Sequence, residues 1–274
     1  MNKLPYLNIG CGNHFDTSWT NIDFKKTGDG VIAYNLLKGI PFPDNSFELV
    51  YHSHVLEHFS KKDGINLMKE CYRVLKPNGI IRVAIPDLEQ ITCNYLRLLE
   101  AGMASPNNAE IEADYNWILI EMYDQTIRNK SGGMMAEYLF QPTLTNEDFV
   151  FKRIGEEGRN LRYRFLNPQK FVDSPKGKIK KTIKNIFKSL FRFTSNKYSD
   201  LGKFRLQGEI HQWMYDRYSL SKLLEKVGFQ SIIQRTAFES YMVNWDKYLL
   251  DGKDNVVRKP DSLFLEAKKY SVNA

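Results

Sequence analysis

The chain has 274 residues, 42% of them hydrophobic, and a formal net charge of +7, so it can bury one sizeable core. No stretch approaches the roughly 18 consecutive apolar residues that cross a bilayer, and the first residues lack the apolar core of a signal peptide, so neither membrane spanning nor secretion is expected. The cysteines, Cys11, Cys71 and Cys93, lack metal-ligand spacing, which favours reduced thiols in a cytoplasmic protein.

The first predicted strand, residues 6–9, runs into a glycine turn, and a second strand is predicted over 20–24. Gly10 and Gly12 permit a sharp turn and let backbone N–H groups approach a ligand where a Cβ would clash. Asp23 ends the second strand, where a carboxylate can accept hydrogen bonds from the hydroxyls of a ribose. This order of strand, glycine turn, strand and carboxylate is typical of a nucleotide-type cofactor site.

The spacing of this motif disfavours a dinucleotide. A dinucleotide fingerprint has a third glycine and an acid about 20 residues further on. Here Phe15 stands at the position of the third glycine, and Asp23 follows the turn too closely. A cofactor without a pyrophosphate is therefore predicted, with its amino-acid end held by backbone groups and its ribose by the carboxylate, and S-adenosylmethionine fits that description.

The elements that follow alternate strand and helix, which predicts a parallel sheet. A helix capped by Ser60 should run to residue 75, and Pro77-Asn78-Gly79 should stop it before a fifth strand over 80–85. A later helix should open at Ser219 or Ser221 and end at Gly228. The remaining predicted elements are strands at 31–34, 47–51, 229–237 and 263–267, and helices from Asp87 to about 101 and over 109–130.

Two segments carry a family resemblance: residues 35–59 (NLLKGIPFPDNSFELVYHSHVLEHF) and 73–87 (RVLKPNGIIRVAIPD). With the glycine turn, they resemble the class I S-adenosylmethionine-dependent methyltransferases over residues 5–90, most closely the small bacterial methyltransferases found with surface-polysaccharide and glycan genes. The resemblance then thins to a patch at 211–221 and 227–229. It implies a Rossmann-like, mostly parallel seven-stranded sheet flanked by helices. The core would comprise 1–101 and 211–274, and a mainly helical insertion after strand five, 102–210, would bind the acceptor.

The resemblance also implies the residues that bind S-adenosyl-L-methionine. The turn would contact the amino-acid end of the cofactor, Asp23 the ribose, and Phe24 the face of the adenine. Asn35 stands where related enzymes often carry an acid beside the adenine. The implied cofactor-binding set is Gly10, Cys11, Gly12, Asp23, Phe24, Asn35, Leu36, Ser53 and His54.

Methyl transfer to a hydroxyl requires alignment of the reactants and a group that takes the proton. His54 and His58 are the better-placed candidates in the stretch after strand four, and Asp87 is a third, at the end of strand five. The structural alternatives are that His58 packs or caps its turn and that Asp87 caps a helix. His211 would reach the site only if the insertion folds back. Glu57, His58 and Asp87 could ligate a metal, but their spacing is not diagnostic, so no metal is predicted.

The basic charge is concentrated in one segment. Residues 176–203 hold nine Lys and Arg and one acid, a balance of +8 that leaves the rest of the chain near −1. Within it, 176–192 has apolar residues at helical spacing and lysines on the other face. This basic amphipathic helix either packs on the protein, which is slightly favoured, or lies on an anionic membrane. The predicted location is therefore cytoplasmic, with peripheral attachment to the inner membrane face as the alternative.

The methyltransferase resemblance implies O-methylation of a sugar, a sugar nucleotide or a capsule or surface-polysaccharide precursor. The partner would be a small-molecule or glycan acceptor; the oligomeric state is not indicated. The alternatives are an RNA or protein methyltransferase and a noncatalytic S-adenosylmethionine-binding module. Nucleic acid is not expected, because the basic residues lie far along the chain and 51–54 (YHSH) is not the Asn/Asp-Pro-Pro-aromatic motif of amino-group nucleic-acid methyltransferases.

Overall fold

A computed structural model describes residues 3–168 and 197–271. The chain divides into two compact units, Met1–Asn94 with His211–Ala274 and Tyr95–Ile210. The predicted amphipathic helix at 176–192 lies outside the described residues. Within them, no helix combines the length and hydropathy that crossing a bilayer requires.

The first unit is built on a seven-stranded sheet. Its strands in chain order are β1 (Tyr6–Ile9), β2 (Thr20–Asp23), β3 (Val31–Ala33), β4 (Phe47–Ser53), β5 (Leu75–Pro86), β6 (Gln230–Arg235) and β9 (Ser262–Lys268), while β7 (Gly252–Lys253) and β8 (Val256–Val257) form a separate pair. The order across the sheet is β3-β2-β1-β4-β5-β9-β6. The first five strands are parallel, and β9 runs antiparallel to both neighbours. The predicted Rossmann-like seven-stranded sheet is confirmed.

The described helices are α1 (Lys61–Val74), α2 (Leu88–Ala104), α3 (Ala109–Ile127), α4 (Gly133–Leu139), α5 (Glu147–Leu166), α6 (Lys197–Leu206) and α7 (Arg217–Val227). Short 3-10 turns occupy Leu36–Lys38, Leu56–His58 and Trp245–Tyr248. Ser60 caps α1 as predicted, since its side chain accepts the N–H of Asp63 at 3.1 Å.

The predicted start of α7 is wrong. Neither Ser219 nor Ser221 opens the helix, because Asp216 is its N-cap and accepts the N–H of Ser219 at 2.7 Å. The Ser219 hydroxyl in turn accepts the N–H of Asp216 at 3.0 Å, which completes a capping box. The helix ends as predicted at Gly228, whose φ of 111° suits a residue without a Cβ.

The predicted break between α1 and β5 is also corrected. The helix ends at Val74 and the strand begins at the next residue, so Pro77-Asn78-Gly79 lies inside β5. The register against β4 moves from Phe47 opposite Leu75 to Leu49 opposite Ile80, so the turn residues form an irregularity within the strand. The turn signal was correct about the local backbone, since Asn78 has a φ of 65°, but not about the boundary.

Both faces of the sheet are buried. One face packs on α1 and α7 through an aliphatic core that includes Ile9, Val50, Met68 and Leu224. The other carries an aromatic cluster of Trp19, Leu49, Tyr51, Trp245, Tyr248 and Leu250. Burial on both faces is usual for parallel strands, and it gives their sequences nearly continuous apolar runs.

One charged side chain interrupts the apolar run of β5. The guanidinium of Arg82 is buried; its Nε donates to Asp251 Oδ2 at 2.7 Å and its Nη1 to Glu266 Oε1 at 3.0 Å. It also lies 4.6 Å from the ring centroid of Trp245. A buried charge is tolerated when it is paired and hydrogen-bonded in this way, so these contacts account for the buried position of Arg82.

The second unit is helical in its described part. Its core is formed by Trp117, Leu139, Val150 and Phe151. Within that core Glu121 accepts from the indole N–H of Trp117 at 3.1 Å and pairs with Arg153. The acceptor-binding role assigned to 102–210 stays a prediction.

Candidate active site

The glycine turn after β1 contains two glycines with different roles. Gly10 and Gly12 both have positive φ, 63° and 54°. A Cβ on Gly10 would lie 2.3 Å from Val55 Cγ2, so this glycine lets the turn pack against the segment that follows β4. A Cβ on Gly12 would meet no atom of the described residues within 4 Å, so the backbone there borders open space. The turn is thus packed on one side and open on the other.

Asp23 holds this turn in place. Its Oδ2 accepts the N–H of Gly12 at 2.9 Å, and its Oδ1 accepts the N–H of Lys25 at 3.1 Å. The Thr27 hydroxyl donates to the carbonyl of Gly12. Each carboxylate oxygen can accept a further hydrogen bond, so Asp23 can position the turn and still receive ribose hydroxyls.

Cys11 is buried between the two glycines. Burial raises the pKa of its thiol to about 11, with the Asp23 carboxylate as a smaller cause. A thiol with such a pKa is protonated near neutral pH and therefore unreactive. The predicted contact between the turn and the cofactor thus depends on the backbone of the turn and not on the Cys11 thiol.

The predicted adenine residues lie at the ends of β2 and β3. Phe24 follows Asp23 and is 61% exposed, which leaves a flat apolar ring available for stacking. The side-chain oxygen of Asn35 accepts the N–H of Leu37 at 3.0 Å and so caps the 3-10 turn Leu36–Lys38. Leu36 is half-buried against the aliphatic core. An open cradle at Gly12, a carboxylate and an exposed ring fit a nucleoside with an amino-acid tail.

The residue that follows β4 has a strained backbone. The strand continues through Ser53, and His54 then adopts a φ of 54°, a conformation that costs about 1 kcal/mol or more for a residue with a side chain. The His54 N–H donates to the Ala84 carbonyl at 2.9 Å. Its ring places Nε2 2.8 Å from Ser262 Oγ and Nδ1 3.4 Å from Glu57 Oε1. Both nitrogens of the predicted base thus face polar groups.

Glu57 lies in the 3-10 turn Leu56–His58 and is 1% exposed. Neither of its carboxylate oxygens has a hydrogen-bond partner among the described residues. Burial raises its pKa to about 8. Burial also pushes the pKa of His54 well below its usual range, with the charge of Lys259 as the next cause. Both shifts favour the uncharged forms of this pair.

His211 joins the same cluster. The ring centroids of His58 and His211 are 4.9 Å apart, nearly perpendicular, and His211 Nε2 lies 4.0 Å from Glu57 Oε1. The segment is held by backbone: the N–H of Gln212 donates to the Glu57 carbonyl at 2.7 Å. Sequence reasoning named His211 but not this pairing, and the resemblance at 211–221 was the signal available for it. We call Glu57, His58 and His211 the polar triad.

Asp87 is not part of the triad. Its Oδ1 accepts the N–H of Glu89 at 3.0 Å at the start of α2, and its own N–H donates to the Asp261 carbonyl at 2.9 Å. These contacts match the helix-capping alternative, so Asp87 is the least suited of the three predicted catalytic residues. The fourth histidine of the region, His52, is fully buried in β4, and within residues 3–168 and 197–271 neither ring nitrogen has a hydrogen-bond partner. Burial lowers the pKa of His52 to about 4, so the ring is neutral near pH 7.

Comparison with known proteins gives one family match. Residues 16–83 match a family model described as a methyltransferase domain. A probable methyltransferase, ltbC of Aspergillus luteorubrus, is 38% identical over 60 residues, 20% of this chain and 21% of that protein. The match therefore spans about a fifth of the curated relative.

Solved structures give weaker likenesses. A methyltransferase from Thermotoga maritima, described as S-adenosylmethionine-dependent and a possible histamine N-methyltransferase, has 12% identity and a TM-score of 0.39, covering 96% of this chain and 81% of its own. An S-adenosylmethionine-dependent methyltransferase from Archaeoglobus fulgidus has 12% identity and a TM-score of 0.39, covering 98% and 86%. Scores of this size carry no functional argument.

The sheet order and the turn after β1 define a Rossmann-like methyltransferase fold. The family match supports a class I S-adenosylmethionine-dependent methyltransferase, with S-adenosylmethionine as the cofactor. It runs from residue 16, before β2, to residue 83, inside β5, and so includes Asp23, His54 and the Glu57-His58 pair of the triad.

Proposed function

We propose that this chain is an S-adenosylmethionine-dependent O-methyltransferase that acts on a hydroxyl of a sugar, a sugar nucleotide or another surface-polysaccharide precursor. The observation that carries the proposal is the contact between the two halves of the site: Gly10 packs on Val55, which lies between His54 and Glu57. A cofactor held at the turn would therefore lie beside the imidazole and carboxyl groups that follow β4.

The residues that would hold the cofactor lie at the carboxyl ends of β1 to β4, where ligands bind in open parallel sheets. The backbone beside Gly12 borders open space for the amino-acid end, Asp23 can accept ribose hydroxyls, and Phe24 and Leu36 offer apolar surface to the adenine. When bound, S-adenosylmethionine supplies a methyl group on a positively charged sulfur, which a nucleophile takes by direct displacement.

The groups after β4 suit an acceptor that loses a proton as it is methylated. A hydroxyl oxygen must give up its proton when the bond to carbon forms, and a neutral imidazole can take it. His54 and His58 are the predicted bases, and the lowered pKa of His54 favours the neutral form that this role requires. The sugar or polysaccharide nature of the acceptor rests on the family resemblance at residues 35–59 and 73–87.

Two measurements on the full chain test the proposal. Calorimetry should detect S-adenosylmethionine binding, and incubation with cofactor labelled in the methyl group should then transfer label to extracted glycans or sugar nucleotides. Parallel incubations with RNA and with protein serve as matched acceptor controls. Label found only in RNA or only in protein would mean that this macromolecule, and not a glycan or sugar nucleotide, is the acceptor. Binding without transfer to any acceptor class would favour a noncatalytic module, and failure to bind would overturn the proposal.

A further inference from the structure

The polar triad brings together ligand-type atoms from two distant parts of the chain. Glu57 and His58 are neighbours in the 3-10 turn after β4, and His211 precedes α7. One carboxylate oxygen and one ring nitrogen from each histidine all lie within 4.8 Å of one another. Two imidazoles and a carboxylate in one small cluster form a donor set that binds divalent transition metals in proteins.

The carboxylate of this group lacks the partners that its burial requires. Glu57 is 1% exposed, and neither oxygen accepts a hydrogen bond within the part of the chain that the structure describes. A buried carboxyl without hydrogen bonds is costly, and native proteins seldom keep one without a reason. His54 Nδ1 lies 3.4 Å from Oε1 and His211 Nε2 lies 4.0 Å from it. A cation among these atoms would supply the missing partner.

Hydrogen bonds to two backbone carbonyls also connect the two parts of the triad. The N–H groups of Gln212 and Trp213 donate to the Glu57 carbonyl at 2.7 and 3.3 Å. The side-chain amide of Gln212 donates to the His58 carbonyl at 2.8 Å. These bonds connect the two segments through groups other than the carboxylate and the two rings.

We propose that Glu57, His58 and His211 bind one divalent transition-metal ion of the series from Mn²⁺ to Zn²⁺, and that this ion holds the acceptor hydroxyl. Ligand atoms at about 2.1 Å from an ion in tetrahedral geometry are about 3.4 Å apart, so atoms that lie within 4.8 Å of one another must approach by up to about 1.4 Å. Oxygen-rich sites suit Mg²⁺, whereas imidazoles favour the softer ions of this series.

Three protein ligands leave coordination positions open, as in catalytic rather than structural metal sites. A hydroxyl oxygen in an open position is polarised and loses its proton more readily. His58 then ligates the ion, and of the two predicted histidine bases only His54 is left. The acceptor part of this inference rests on the proposed O-methyltransferase function, whereas binding of the ion does not.

The test uses the full chain after treatment with a chelator and dialysis. Titration with Mn²⁺, Co²⁺ and Zn²⁺ by calorimetry should show one saturable site, and Co²⁺ should give a visible absorption spectrum from nitrogen and oxygen ligands. Glu57→Gln, His58→Gln and His211→Gln should each weaken the affinity by about 100-fold. The matched control is His14→Gln, which changes a histidine outside the triad and should bind the ion like the parent chain.

S-adenosylmethionine binding on the same samples shows that each variant is folded and separates this inference from the proposed function. A parent chain that binds S-adenosylmethionine but no ion overturns the metal site and leaves the function standing. Triad variants that bind Co²⁺ as the parent does also overturn it. In the transfer assay, chelator should abolish turnover without loss of cofactor binding, and Mn²⁺ or Co²⁺ should restore it. Full turnover in chelator would remove the ion from the reaction while the O-methyltransferase proposal remained.

Discussion

The cofactor turn after β1 and the polar triad after β4 lie side by side but differ in how their polar groups are satisfied. At the turn, both oxygens of Asp23 accept backbone N–H groups, and the Gly12 carbonyl accepts a hydroxyl. At the triad, the Glu57 carboxylate is buried and accepts no hydrogen bond from any described residue. The polar groups of the turn are therefore satisfied within the fold, whereas the buried Glu57 carboxylate carries a desolvation cost that a bound ligand could offset.

The largest expected effect is at the glycine that joins the two regions. Gly10→Ala would place a Cβ 2.3 Å from Val55 Cγ2 in a backbone with positive φ, so the free energy of unfolding should fall by about 3 kcal/mol. Gly12→Ala has the same backbone strain but open space, so it should cost about 1 kcal/mol. Urea denaturation measures both. Equal losses would mean that the turn does not pack on Val55.

A second effect of similar size concerns acid stability. Above pH 6.5 His52 is neutral in both the folded and the unfolded chain. As the pH falls from 6.5 towards 4, the unfolded chain takes up a proton that the buried ring does not, so up to about 3 kcal/mol of stability is lost. In urea denaturation across this range, His52→Leu should lose less stability than the parent by that amount. If the free energies of unfolding of the parent and His52→Leu changed equally with pH, the burial of a neutral His52 ring in β4 would be contradicted.

A third prediction reverses the usual sign of a core mutation. Replacing Glu57 by Met removes a buried carboxyl that accepts no hydrogen bond from the described part of the chain, so the metal-free chain should gain about 1 to 2 kcal/mol in its free energy of unfolding. Asp23→Asn, which disturbs a paired carboxylate, serves as the comparison and should lower stability. Denaturation after chelator treatment distinguishes the two. A large loss on Glu57→Met would mean that this carboxyl supports the fold as Asp23 does.

The smallest expected effect is on cofactor affinity. Asp23→Ala removes the acceptor for ribose hydroxyls as well as the bond to the Gly12 N–H, so S-adenosylmethionine should bind about tenfold more weakly, a loss of about 1.5 kcal/mol. The matched control is Asp29→Ala, an exposed acid on the loop before β3, which should bind as the parent does. Calorimetry measures both. Equal affinities for the parent and Asp23→Ala would remove the ribose contact from the site.

Whether a structural feature could be predicted from the sequence depends on how far apart in the chain the interacting residues lie. The turn after β1, the cap at Ser60 and the end of α7 at Gly228 depend on residues close in the chain, and all three were predicted. The seven-stranded sheet followed from the alternation of strands and helices and from the family resemblance.

The predictions that failed involve competition between neighbouring signals. Asp216 and Ser219 are both good N-caps, and the geometry of the box decides between them. Pro77-Asn78-Gly79 bends the backbone, but Leu75 already pairs with Phe47, so the strand begins before this turn sequence. The triad was missed for a different reason. His211 is about 150 residues from Glu57 and His58 in the chain, so their spacing does not indicate the pairing, and only the resemblance at 211–221 pointed to that segment.

The backbone hydrogen bonds that dock Gln212 and Trp213 on Glu57 have a consequence for engineering. Because these hydrogen bonds join backbone groups at positions 57, 212 and 213, substitutions of the side chains at positions 57, 58 and 211 leave their donors and acceptor in place. A library that replaces the imidazoles with carboxylates or amides would keep these bonds and shift the ion preference of the proposed site towards Mg²⁺.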